Sequence, residues 1–154
     1  MIIRLVYPVL IVLVILLAVL VAPFNRKVRL GFWPRITAGR GLRAAYARRD
    51  LSRPLVWFHA ASAGELLQAE PVMARLRDDG VQLAVSLSSI TATGWLQRLD
   101  PWPEVVWAGL LPPDFPGAVA GWMRHLRPAA LVHLQADLWP GLVVAPMVPE
   151  CPRC

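Results

Sequence analysis

The chain has 154 residues, of which 56% are hydrophobic, and a net charge of +6 at pH 7. This length predicts about one domain. Residues 1–53 carry ten basic and one acidic side chain, whereas residues 54–154 carry six basic and nine acidic ones, a net charge of −3. A nucleic-acid-binding protein needs basic side chains on the folded surface that contacts phosphate. The distribution therefore predicts no nucleic acid partner and favours anionic lipid head groups.

Residues 5–24 form a continuous run that is almost entirely apolar. A helix of about 20 apolar residues spans the hydrocarbon core of a bilayer, so we predict one transmembrane helix within residues 1–25. The alternative is a cleaved signal peptide, which usually has a shorter apolar region and a small-residue cleavage site. Residues 26–53 are interpreted as a basic juxtamembrane segment. By the positive-inside rule, this predicts a single-pass protein of the inner (cytoplasmic) membrane, with its following domain in the cytoplasm.

Short apolar strands alternate with helical segments across residues 54–145. The predicted strands are residues 55–60, 81–87, 104–108 and 129–134, and the predicted helices are residues 66–77, 95–99 and 117–126. Strands separated by helical crossovers predict an α/β fold with a Rossmann-like parallel sheet. Ligands bind such sheets at the carboxyl ends of the strands. Three polar loops follow predicted strands there, at residues 60–65, 88–94 and 135–140.

The first of these loops ends in Ser62-Ala63-Gly64-Glu65, which has two interpretations. In a capping box, the Ser62 hydroxyl accepts from the Glu65 N–H, and the Glu65 carboxylate reaches back to the Ser62 N–H. In a functional site, the small residues let a ligand approach the backbone closely, and Glu65 acts as a general base. The local pattern alone favours the cap.

The loop at residues 88–94 carries three hydroxyl side chains, Ser89, Thr91 and Thr93, and ends at Gly94. Hydroxyl groups at the end of a strand can contact a sugar. Ser and Thr are also ordinary turn residues. Both interpretations stay open from the local sequence.

Four ordered motifs make the chain resemble the amino-terminal half of the bacterial Kdo transferases, which transfer 3-deoxy-D-manno-octulosonic acid (Kdo). The motifs are WFHAASAGE at residues 57–65 (H-x-x-S-V-G-E in the family), SSITATG at 88–94 (T-x-T-x-T-G), LPPDFP at 111–116 (L-P-x-D-x-P), and R-P through L-W-P at 127–140. The resemblance implies the N-terminal half of an inverting GT-B glycosyltransferase. It also implies no cofactor and no metal, CMP-Kdo as the donor, and lipid A precursor as the acceptor in lipopolysaccharide biosynthesis.

The family's residue roles carry over position by position. Glu65 takes the role of general base. Gln135 and Asp137 stand where the family has two glutamates: Asp137 keeps the negative charge and is a second catalytic candidate, with a helix N-cap as its structural alternative, whereas Gln135 can only hydrogen-bond. The substrate-binding candidates are Ser62, Gly64, Ser89, Thr91, Thr93, Gly94 and Gln135.

Residues 146–154 do not continue the α/β pattern. Cys151 and Cys154 are two of the four ligands that a structural zinc site needs, so we predict no metal site. We interpret this tail as a truncation or frameshift. Because the family binds its nucleotide donor mainly on a C-terminal domain, we expect the 154 residues to be inactive alone. Two alternatives remain: a membrane-bound glycolipid-binding module without catalysis, and a membrane-anchored scaffold protein.

Overall fold

All four predicted strands are present in the computed structural model, which describes residues 2–111 and 118–134. The elements are α1 (Ile2–Val21), α2 (Arg26–Arg48), β1 (Leu55–Ala60), α3 (Ala63–Asp78), β2 (Gln82–Leu87), α4 (Thr93–Leu96), β3 (Val105–Leu110), α5 (Ala118–Leu126) and β4 (Ala130–Leu134). Short 3₁₀ turns, Ile90–Ala92 and Gln97–Leu99, flank α4. Each strand lies within two residues of its predicted bounds, because each is a short apolar run between turn residues.

The strands pair in parallel in the order β3-β2-β1-β4. This order is that of the first half of a Rossmann fold, and it confirms the predicted α/β class. The order reverses between β1 and β4, where the chain returns to the opposite side of β1. In open α/β sheets, the crevice for a ligand lies at the carboxyl ends of the strands at this point.

The sheet buries apolar side chains on both faces. On one face, Trp57 of β1 packs against Trp107 and Trp122, with ring centroids 6.2 Å from each, and the latter two centroids are 4.2 Å apart. On the other face, Phe58 packs in a separate cluster with Leu66 of α3. Because consecutive strand residues point to opposite faces, α5 and α3 cover opposite sides of the sheet.

Helix α2 packs on the same face as α5, in a region for which the sequence indicated no secondary structure. It contacts β3 and α5, and Ala45 is buried with the tryptophan cluster. The Arg49 guanidinium donates to the Leu126 carbonyl (2.8 Å) and to Gln82 Oε1 (2.6 Å). Part of the basic segment is therefore bonded into the α/β domain.

The predicted transmembrane helix at residues 1–25 is not supported. Within the described ranges, no helix has both the length and the hydropathy needed to cross a bilayer. Helix α1 ends at Val21, and the predicted span's remaining residues form a turn in which the Phe24 N–H donates to the Val21 carbonyl. The single-pass topology derived from that span is likewise not supported.

The contact between α2 and the sheet predicts opposite effects for two glycine substitutions. A Cβ at Gly41 would lie 3.0 Å from Trp107 Nε1, whereas a Cβ at Gly121 in α5 meets no described atom within 4 Å. Gly121→Ala should stabilise the fold by up to about 1 kcal/mol through helix propensity. Gly41→Ala gains the same propensity but should still lower the free energy of unfolding by about 1 kcal/mol, because overpacking costs about 1–3 kcal/mol. Urea denaturation measures the free energy of unfolding of both variants. If Gly41→Ala stabilised the protein as much as Gly121→Ala, the described packing of α2 against Trp107 would be contradicted.

Candidate active site

The loops that follow β1 and β2 meet at the carboxyl edge of the sheet, as the sequence predicted. The Ser88 N–H donates to the Ala60 carbonyl at 3.0 Å, which joins the end of β1 to the start of the Ser/Thr loop. Strand β4 ends at the same edge, with His133 opposite His59 and Leu134 opposite Ala60. The loops at residues 60–65 and 88–94 therefore lie at the same edge, beside the end of β4.

Helix α3 begins with the predicted serine cap. Ser62 has an extended backbone (φ −140°, ψ 163°), and its hydroxyl accepts from the Glu65 N–H at 3.4 Å. The same hydroxyl donates to Glu65 Oε1 at 3.0 Å. The predicted return bond from the carboxylate to the Ser62 N–H is wrong: Glu65 Oε2 accepts from the Ala61 N–H at 2.7 Å. Because Glu65 Oε1 already accepts from the Ser62 hydroxyl, Oε2 lies against the N–H of Ala61, one residue earlier.

The capping carboxylate also borders a cavity. Glu65 is half-buried and lines a pocket of about 230 Å³ together with Phe58, Gln68, Val132 and Leu134. A carboxylate oxygen has two lone-pair sites, so one hydrogen bond to each oxygen leaves room for a further donor. Each carboxylate oxygen of Glu65 therefore keeps hydrogen-bonding capacity that these cap bonds do not use.

Two candidate glycines have open backbones at this edge. A Cβ at Gly64 would have Ser62 Oγ, 3.9 Å away, as its nearest neighbour, and a Cβ at Gly94 would meet no described atom within 4 Å. Packing against the described residues therefore does not require glycine at either position. The free space is compatible with close approach of a ligand.

The Ser/Thr loop divides its hydroxyls between two roles. The Ser89 and Thr91 hydroxyls lie 2.8 Å apart at the surface. Thr93 instead donates to the Ile90 carbonyl at 2.8 Å, which is a local turn bond. Ser89 and Thr91 are thus the hydroxyls that the loop presents. Of the other candidates, Gln135 and Asp137 lie outside the described residues.

A buried polar network beneath the loop was missed by the sequence analysis. His59 is 1% exposed; its Nδ1 lies 2.7 Å from Ser86 Oγ, and its Nε2 lies 3.2 Å from Ser88 Oγ. Trp57 Nε1 also donates to Ser86 Oγ at 2.9 Å. The alternation of Trp57 with His59 could have placed both on one face, but their partners depend on the register between β1 and β2.

His133 lies beside this network, with its ring centroid 5.6 Å from that of His59. Both of its ring nitrogens are buried, and neither has a hydrogen-bond partner in the described part of the chain. An unpaired buried polar group costs about 1–3 kcal/mol. The sequence analysis did not include His133 in the site, although it lies beside His59 near the carboxyl edge.

The strand order defines a Rossmann-like α/β domain, and a largely apolar pocket that Glu65 lines lies against β1 and β4. The sequence model of the 3-deoxy-D-manno-octulosonic-acid transferase (kdotransferase) family matches residues 27–148. The chain belongs to this family, matching its N-terminal domain, and the resemblance read from the motifs is confirmed.

Three relatives show the extent of the similarity. A 3-deoxy-D-manno-octulosonic acid transferase of Bordetella pertussis is 32% identical over 121 residues, which cover 75% of this chain and 28% of that protein. Its counterpart in Haemophilus influenzae is 27% identical over 57% of this chain and 21% of that protein. A probable mitochondrial transferase of Arabidopsis thaliana is 30% identical over 59% of this chain and 20% of that protein.

The chain thus matches less than a third of the length of these relatives. No solved structure matches the chain significantly.

The cap geometry predicts different costs for two serine substitutions. Ser62→Ala removes the acceptor of the Glu65 N–H and should destabilise the domain by about 1 kcal/mol. Ser89→Ala is the matched control, because the Ser89 side chain makes no capping bond to the 3₁₀ turn that follows it. Thermal denaturation of both variants tests this expectation. Equal melting temperatures would show that the Ser62 cap contributes nothing to stability.

Proposed function

We propose that the chain supplies the acceptor-binding part of a Kdo transferase of lipopolysaccharide biosynthesis. The reaction transfers Kdo from CMP-Kdo to a hydroxyl of lipid A precursor. Family membership and the transferase activity that the bacterial relatives are named for support the reaction. The observation that carries the proposal is the Glu65 carboxylate at the edge of an open pocket.

In the proposed mechanism, Glu65 takes the proton of the acceptor hydroxyl as its oxygen attacks the anomeric carbon of Kdo. The new carbon–oxygen bond forms as the bond to the CMP phosphate breaks, and CMP leaves with the electron pair. Attack from the face opposite CMP inverts the anomeric centre. The Ser62 and Ala61 donors hold the carboxylate in a fixed orientation for this step.

The neighbouring loops are proposed to hold the acceptor. Gly64 and Gly94 leave the backbone accessible, and the Ser89 and Thr91 hydroxyls can hydrogen-bond to the sugar. From the family motif, we propose that Gln135 also contacts substrate and that Asp137 supplies the second charge of the site.

Helix α1 is proposed to contact the lipid in which this acceptor resides. Its exposed apolar side chains include Val9, Leu13, Leu17 and Leu20, which are 58–69% exposed. Arg26 and Arg29, at the start of α2, are exposed beside it. Contiguous apolar surface with adjacent basic residues is typical of membrane-contacting surfaces.

Leu17→Asp should reduce co-sedimentation of the chain with anionic liposomes, because it places a charge on the apolar surface of α1. The control is Leu67→Asp, at an exposed leucine of α3. If both variants reduce co-sedimentation equally, or if neither variant reduces it, lipid contact through α1 is contradicted.

The substitution Glu65→Gln distinguishes the capping role of this side chain from its proposed role as general base. Glutamine also serves in a capping box, so the melting temperature should change little. The amide cannot take a proton, so transfer should fall about a hundredfold or more. The assay uses a chimera in which the matched segment of this chain replaces its counterpart in the Bordetella pertussis transferase, supplied with CMP-Kdo and lipid A precursor.

Two controls accompany this assay. The unsubstituted chimera establishes transfer, and Ser62→Ala in the chimera reports the combined effect of weakening the cap and removing one donor to the Glu65 carboxylate. Transfer by Glu65→Gln at the unsubstituted rate would exclude Glu65 as the base. Direct titration of the 154-residue chain with lipid A precursor tests acceptor binding, and absence of binding would contradict the acceptor-side assignment.

A further inference from the structure

We propose that Arg35 of α2 is a positioning residue that fixes the Ser/Thr loop through the main-chain carbonyl of Ser88. This inference rests on the proposed function, because it assigns the loop to the acceptor site. Arg35 would act through the loop and would not touch the substrate itself.

The contact from α2 to the loop spans about one turn of the helix. Arg35 Nη2 donates to the Ser88 carbonyl oxygen across 53 residues of sequence. Gly31, four residues earlier and therefore on the same side of the helix, lies against the Ile90 side chain: a Cβ at Gly31 would come within 2.8 Å of Ile90 Cδ1. Helix α2 thus meets the loop at two points.

Two residues of β1 also bind Ser88. Its N–H donates to the Ala60 carbonyl at 3.0 Å, and its hydroxyl lies 3.2 Å from Nε2 of the buried His59. Arg35 binds the remaining polar main-chain group of the same residue. Ser88 is therefore fixed through its N–H, its side chain and its carbonyl, the last by a charge-assisted bond, which is a strong class of hydrogen bond.

This fixed residue directly precedes the hydroxyls that the loop presents. Ser89 is extended (φ −87°, ψ 128°) and makes no capping bond, so the orientation of the Ser88 carbonyl sets where the following residues begin. The Ser89 and Thr91 pair lies immediately beyond it. The bond between Ser88 and Ala60 also ties the loop to the strand that leads into Ser62 and Glu65. Loss of the Arg35 contact should therefore shift the loop relative to the proposed base.

Three variants test the role of Arg35. Arg35→Ala removes the contact, and we expect the Kd for lipid A precursor in detergent micelles to rise about tenfold, the scale of one lost charged hydrogen bond. Arg35→Lys keeps a cationic donor and should restore most of the affinity. Arg48→Ala removes the same charge from an exposed position at the other end of the same helix and should leave the Kd unchanged.

Amide hydrogen exchange without acceptor gives a second, independent readout. Arg35→Ala should accelerate exchange in residues 88–94 and leave strand β1 protected, whereas general destabilisation would accelerate both. If the unsubstituted chain fails to bind the acceptor, the proposed function fails. The exchange result then still tests whether Arg35 fixes the loop through the Ser88 carbonyl. Unchanged exchange in residues 88–94 of Arg35→Ala, or equal loss of affinity in Arg48→Ala, would overturn the proposal.

Discussion

The parallel pairing of β1 with β2 on one side and β4 on the other is the constraint on which the site depends. Parallel strands end at the same edge, so this pairing alone brings the loop after β1 beside the loop after β2. The hydrogen bond from Ser88 to Ala60 then joins the two loops directly. Residues separated by more than twenty positions in sequence thereby lie at the same edge of the sheet.

The structural role of Glu65 and its proposed chemical role use the same carboxylate. As a cap, its carboxylate satisfies the Ala61 N–H, while Ser62 satisfies the Glu65 N–H. The same bonds restrict the side chain to an orientation beside an open pocket. A general base needs such restriction, because proton transfer requires a defined distance to the acceptor hydroxyl. The capping and catalytic interpretations of the Ser-Ala-Gly-Glu sequence are therefore compatible.

The sequence predicted the strands well because each is a short apolar run bounded by turn residues. Helix α2 escaped prediction because its contacts with the domain use Gly31, Gly41 and Ala45, which carry little hydrophobic signal. The role of Arg35 had no local signature, since its partner lies 53 residues away. The buried bonds of His59 likewise depend on strand register, which a single sequence does not specify. The apolar run at the N-terminus predicted a helix correctly, but the membrane span inferred from it is not supported.

The central claim is that the acceptor binds at the carboxyl edge of β1, with its reactive hydroxyl against Glu65. A crystal structure of the protein with lipid A precursor bound is the most direct test. The account predicts an acceptor hydroxyl oxygen at about 2.6–3.2 Å from a Glu65 carboxylate oxygen, the range for proton transfer. An acceptor bound elsewhere, with the Glu65 carboxylate out of reach of every sugar hydroxyl, would contradict it.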